Sequence, residues 1–158
     1  MSSYVIYGSR FGNTQRIAEA IADVLRQRGD VLLLPAEEAG AIVPHPGDLL
    51  VVGCPTEGHT MTPVLRRYLD AMGAKGLRGV TGAAFDTRVD WPRWLSGSAA
   101  VAIARRLLRL GAHLVHPEGS FLVTRQNPAL LPGELERARA WAAALAEAAT
   151  PDLAVAGR

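Results

Sequence analysis

The chain has 158 residues, enough for one domain with a buried core, so a single functional site is expected. Hydrophobic residues make up 49% and charged residues 20%, which suits a soluble globular protein and excludes intrinsic disorder over most of the length. The formal charge of +2 rests almost wholly on arginine, Lys75 being the only lysine, and no basic run forms the footprint of a nucleic-acid binder.

The arginines Arg105, Arg106 and Arg109 read as a solvated helix face. A lone cysteine, Cys54, cannot close an internal disulfide. The N-terminus lacks a charged region leading into a long apolar segment, and no stretch reaches the length of a membrane span. The expected compartment is the cytoplasm.

In chain order, Tyr4-Val5-Ile6-Tyr7 is a short β-rich run ending at Gly8. A polar loop follows, then Ile17, Ile21, Val24 and Leu25 recur at helical spacing. Gly29 and Asp30 stop that helix, and Val31 to Leu34 makes a second strand before Pro35. A loop rich in Ala, Gly and Pro runs to Gly47. Leu49-Leu50-Val51-Val52 is then an uninterrupted apolar run, the kind buried on both faces of a parallel sheet. Thr62-Pro63 reads as a helix cap with proline at the first helical position.

Val80 to Phe85 supplies a fourth strand. Ser98 to Leu110 makes a helix whose apolar face carries Val101, Ile103, Ala104, Leu107 and Leu108. His113 to Val115 and Phe121 to Val123 form two halves of a fifth strand, joined through Pro117-Glu118-Gly119. The last helix starts near Pro132-Gly133-Glu134 and buries Leu135, Ala138, Ala142 and Leu145.

Strands alternating with helices imply right-handed crossovers and an α/β fold, its five-stranded parallel sheet covered on both faces. The order 2-1-3-4-5 fits, which places a ligand at the carboxyl ends of the strands, where the order reverses between strands one and three. One domain spans 1–149, and 150–158 reads as a loose C-terminal tail. The loops that matter are those after Tyr7, after Gly53 and after Phe85.

The first of these, Ser9-Arg10-Phe11-Gly12-Asn13-Thr14, lies between a strand and a helix N-terminus. Helix-opening N–H groups lack helical partners, and the helix adds about half a positive charge there. Ser9 and Thr14 offer hydroxyls, Gly12 lets the backbone come close, and Asn13 suits a cap. Two readings stand side by side: an anion site, and a plain strand-to-helix turn. Neither a Walker A loop nor a Gly-x-Gly-x-x-Gly turn is present, which points to a single terminal phosphate rather than a polyphosphate.

This loop resembles the phosphate loop of the flavodoxin family, Ser/Thr-x-Thr-Gly-x-Thr, with Phe11 in place of the middle hydroxyl residue. Gly53-Cys54-Pro55-Thr56-Glu57-Gly58-His59 is similar to that family's Gly-Cys-Ser-Thr-Trp-Gly-Asp segment beside the flavin. The spacing from Phe85 to Gly97-Ser98-Ala99 matches as well. The resemblance, which extends to about Leu145, implies a flavodoxin-like three-layer sandwich that binds flavin mononucleotide (FMN). By carry-over, Ser9 to Thr14 hold the phosphate; Pro55, Thr56, Glu57, Gly58 and His59 and then Asp86, Thr87 and Arg88 line the flavin. Gly58 is its N5 switch, and Trp91 or Trp94 covers the ring.

Departures from the pattern carry consequences of their own. Glu57 stands where the family has an aromatic, removing a stacking partner worth about 0.5–1.5 kcal/mol and leaving room for an acceptor. His59 replaces an acid, which lowers the negative charge around a reduced flavin and implies a less reducing cofactor. Arg88 faces either the flavin's pyrimidine oxygens, a substrate carboxylate, or a surface ion pair. Cys54 reads as a small buried side chain rather than a nucleophile, and His45, His113 and His116 lack metal-ligand spacing, so no metal is expected.

The implied function is electron transfer through FMN to a redox partner protein or a small acceptor such as a quinone. The resemblance leaves open whether the chain is an enzyme: electron carriers and flavodoxin-like protoporphyrinogen oxidases share these features. The carriers are strongly acidic and this chain is not, which disfavours the carrier role or implies another partner surface. The alternative is a flavodoxin-fold binding or regulatory module that has lost FMN, with Phe11 and Glu57 as its evidence. Oligomeric state is not legible.

Overall fold

A computed structural model describes residues 1–40, 42–74 and 76–150. Apart from Thr150, the expected tail lies outside the described residues, as does Lys75. Five strand positions and their crossovers form the frame: β1 (Ser3–Tyr7), α1 (Asn13–Leu25), β2 (Val31–Pro35), α2 (Ala36–Ala39), β3 (Leu49–Pro55), α3 (Pro63–Asp70), β4 (Thr81–Val89), α4 (Arg93–Ser96), α5 (Ala99–Arg109), β5 (His113–Leu114), β6 (Gly119–Val123) and α6 (Glu134–Ala149). All strand pairs are parallel, in the order β2-β1-β3-β4-β5, with β6 also on β4.

Successive side chains of a strand point to opposite faces, and the runs of β1 and β3 are apolar on both. Val5, Leu49 and Val51 therefore pack against Ile17 and Ile21 of α1 and Ala142 and Leu145 of α6. Ile6, Leu50 and Val52 pack on the other face against Leu65 and Leu69 of α3 and Ile103 and Leu107 of α5. Each such large side chain, fully buried, contributes about 1.5–3 kcal/mol relative to exposure. The short helix α2 falls inside the segment expected to be loop. On α5 the buried face is Ala99, Ala100, Ile103 and Leu107, whereas Leu108, expected inside, is 55% exposed.

The fifth position is an interrupted strand. Thr81 and Gly82 pair with His113 and Leu114, and Phe85 to Val89 pair with Gly119 to Val123. Pro117 lies in the gap, where a residue without an N–H cannot serve the ladder. Its carbonyl accepts a hydrogen bond from Trp141 Nε1 at 2.9 Å, and the same indole lies 6.3 Å from both the Phe85 and Phe121 rings. At the carboxyl edge, Tyr7 is level with Gly53, Gly53 with Phe85, and Phe85 with Gly119, so the following loops open on one side of the molecule.

Candidate functional site

The loop between β1 and α1 turns on Gly12, whose φ of 87° makes it a left-handed cap, so Asn13 is the first helical residue rather than the cap. The Gly12 N–H donates to Ser9 Oγ at 3.1 Å. Asn13 Nδ2 reaches instead to the Pro128 carbonyl at 2.8 Å, tying α1 to the segment before α6. The first intrahelical bond is Arg16 N–H to the Gly12 carbonyl. Among the described residues no acceptor meets the N–H groups of Asn13, Thr14 and Gln15, which leaves three donors and the positive end of α1 together. Thr14 is buried with its hydroxyl 2.8 Å from that of Thr87.

The loop after β3 is a tight hairpin turn. Glu57 and Thr60 exchange both backbone hydrogen bonds at 3.0 Å, and Gly58 and His59 between them have φ of 53° and 68°. Positive φ at both central residues is the signature of a type I′ turn. His59, a non-glycine residue in this region, is held by Gly97: a Cβ added to Gly97 would meet the His59 Cα at 2.5 Å. The hairpin and the start of α5 are thus in backbone contact, and only glycine fits at 97.

Asp86 connects the walls. Its carboxylate is wholly buried and accepts four hydrogen bonds, from Ser120 Oγ at 2.6 Å, Ser98 Oγ at 2.7 Å, the Ala100 N–H at 3.1 Å and Thr56 Oγ1 at 3.2 Å. Thr56 Oγ1 in turn accepts from the Ala99 N–H at 2.9 Å. One carboxylate therefore fastens the β3 loop, the N-terminus of α5 and β6 to β4. Asp86 was expected as a cofactor contact; instead it has no exposed surface and acts beneath the site. Two signals of this were visible in the sequence: an acid closing an apolar strand, and Ser98 in cap position before an alanine-rich helix.

Above this network lies a cleft of about 220 Å³. Arg10, Phe11, Asn13, Thr14, Pro55, Thr56, Glu57, Thr87 and Arg88 line it, together with Val89, Val123 and Pro128, which sequence reasoning missed. Those three arrive through β4's full length, β6 and the Asn13–Pro128 bond, all tertiary events. Phe11 stands 63% exposed at the rim rather than plugging the cleft, and the Arg10 guanidinium lies 5.5 Å from its ring centroid. Arg10 also pairs with Glu57 at 3.5 Å, spanning the first two loops.

Other expected residues lie elsewhere. Ser9, Gly12, Gly58 and His59 shape the loops without lining the cleft, and neither Trp91 nor Trp94 reaches its wall. Trp91 packs under the Arg125 guanidinium, 4.4 Å from centroid to Cζ, and Trp94 on α4 is 81% exposed. The physical reason is that β4 runs on to Val89, four residues past its expected end, which carries this loop outward. Arg88 makes no ion pair among the described residues. Its Nε donates to Ser120 Oγ at 2.7 Å and its Nη1 to the Trp91 carbonyl at 2.6 Å. Cys54 is buried, and burial pushes its thiol up to about 12, which keeps it protonated and unreactive.

No protein-family model matches the chain, and no curated protein does either. Solved structures do. The chain is similar to a flavodoxin from the domain Archaea at 21% identity and a TM-score of 0.76, over 94% of this chain and 99% of that one. It is similar to the oxidised flavodoxin 1 of Bacillus cereus at 20% identity and a TM-score of 0.74, over 93% and 98% of the two chains. The flavodiiron protein of Giardia intestinalis matches at 21% identity and 0.75, over 94% of this chain but 36% of that longer one. The fold is therefore flavodoxin-like, with its parallel sheet in the order expected from the sequence.

Proposed function

We propose that the chain holds FMN in this cleft and works as a flavodoxin-like redox protein, passing electrons to a protein partner or to a small acceptor such as a quinone. The observation that carries the reading is the set of open amides on Asn13, Thr14 and Gln15 beside Arg10, at a strand-to-helix loop where the sheet order reverses. That donor set fits a single terminal phosphate. Because one of the Thr14 and Thr87 hydroxyls donates to the other, the accepting one keeps its own hydrogen for the anion. Pro55, Val89, Val123 and Pro128 offer apolar walls for a flat ring.

When bound, FMN supplies the one- and two-electron chemistry, while the protein binds, orients and shields it. By the flavodoxin resemblance Gly58, in the hairpin that follows the Pro55–Glu57 wall of the cleft, would supply the peptide carbonyl that faces flavin N5. Flipping the peptide between Gly58 and His59 converts a type I′ turn into type II′, which keeps positive φ at Gly58 and returns His59 to negative φ. The Glu57–Thr60 pair survives that flip, so the rest of the hairpin stays in place.

A second reading, a flavodoxin-fold binding module without FMN, is favoured by the Arg10–Glu57 ion pair across the loops and by a cleft smaller than the roughly 300–1,000 Å³ of ligand pockets. Titration decides between them. FMN fluorescence should be quenched by micromolar protein, with riboflavin bound more weakly for want of the phosphate. Protein that leaves FMN fluorescence unchanged overturns the first reading.

A further inference from the structure

The groove between α3 and α5 gathers charge that the cleft does not use. Thr60, Arg66, Asp70, Arg105, Arg106 and Arg109 line a depression of about 250 Å³. Four arginines and one carboxylate meet in the groove, Arg66 and Asp70 from α3 and Arg105, Arg106 and Arg109 from α5, which carries no acid at all. Asp70 takes Arg106 Nη2 at 2.8 Å. Among the described residues no carboxylate lies within ion-pair distance of Arg66, Arg105 or Arg109.

On α1 and α6 the pattern is different. Arg26 pairs with Asp23 at 2.6 Å, Arg137 with Glu134 at 2.6 Å and Arg139 with Glu136 at 3.3 Å, each one helical turn away on its own helix. A solvated helix face is ordinarily laced in that way. The α3–α5 face lacks such compensation, and like charges there repel across a narrow gap. Arg106 adds a second observation: its Nε is buried and has no acceptor. A buried charged donor without an acceptor is costly, so Asp70 alone leaves the Arg106 guanidinium under-compensated.

We propose that this groove is the docking surface for a partner protein that presents clustered carboxylates. Planar guanidinium forks suit carboxylates better than lysines would, and the face is arginine throughout. The groove also adjoins the candidate site. Thr60 lines it, and the two backbone hydrogen bonds of Thr60 lead directly to Glu57 in the cleft wall. An acidic partner seated here stands beside the Gly58–His59 turn. The docking holds whether or not the cleft takes FMN.

The test uses the full chain and a fluorescein-labelled decaglutamate peptide, followed by anisotropy at low salt and at about 0.15 M salt, where the screening length is about 8 Å. The triple variant Arg66→Gln/Arg105→Gln/Arg109→Gln should weaken binding at least ~10-fold at low salt and flatten the salt dependence. Removing the same charge elsewhere, by Arg16→Gln/Arg26→Gln/Arg78→Gln, should stay within about twofold. Asp70→Asn, which releases Arg106, should tighten binding. Equal losses in both triple variants, weaker binding by Asp70→Asn, or displacement of the peptide by micromolar pyrophosphate would overturn the proposal, the last by assigning the groove to a small anion. FMN titrations of the groove variant should match the wild type, so failure of the docking and failure of the cofactor reading are separate results.

Discussion

The two sides of the cleft are built on opposite principles. On the β3–β4–α5 side almost every polar group is paired: Asp86 accepts four hydrogen bonds, Thr56 both donates and accepts, and Gly97 packs directly against the His59 backbone. On the β1–α1 side the loop leaves three amides open and sets Arg10 and Phe11 out toward solvent. One wall is a prearranged frame and the other a set of unused donors. A site that must receive an anion needs both, because donors already satisfied cannot bind and donors without a frame cannot be placed.

Breaking the frame should therefore cost the most. Asp86→Ala leaves the Ala100 N–H and three hydroxyls without their common acceptor and should lower stability by about 3 kcal/mol, read from the denaturant midpoint. Gly97→Ala combines a φ of 71° with a clash against the His59 backbone, and a loss of about 2 kcal/mol is expected by the same measurement. An unchanged midpoint in either variant would show that the hairpin and α5 are not coupled as described.

The frame also has a pH signature. Burial lifts the Cys54 thiol from an ordinary 9.0 to about 12, so the folded state holds a proton that the unfolded chain releases earlier. The stability this contributes is full below pH 9.0 and is lost as pH rises toward 12. The difference in stability between wild type and Cys54→Ala should shrink over that range, and thiol reagents should label the native chain only on unfolding. Rapid labelling of folded protein at neutral pH would contradict the buried position.

On the open side, changes should cost less in stability and more in binding. Thr14→Ala removes the bond to Thr87 and should cost about 1 kcal/mol, while weakening FMN much more than riboflavin. Equal losses for both ligands would remove Thr14 from the phosphate. Phe11→Ala should change stability by no more than about 0.5 kcal/mol, given its exposure. A larger loss would mean that the loop is part of the frame after all.

Apolar periodicity alone was sufficient for the frame of the fold. The doubly apolar runs of β1 and β3 and the stripes of α1 and α5 demand a parallel sheet covered on both faces, which the observed order β2-β1-β3-β4-β5 fits. The first loop was legible because strand, glycine and helix start are consecutive in the chain. Other features were decided by residues distant in sequence. Asp86 became a buried clasp because Ser98, Ala100, Thr56 and Ser120 converge on it; its own segment offers only an acid after an apolar run, which suits a clasp and a contact alike. Trp91 and Trp94 left the cleft because pairing with β6 extends β4. The arginines of α5 read as an ordinary solvated face until α3 brought Arg66 and Asp70 opposite them. Local periodicity reports which face of an element is buried; what a polar side chain meets depends on chain segments up to more than a hundred residues away, as with Asn13 and Pro128, 115 positions apart.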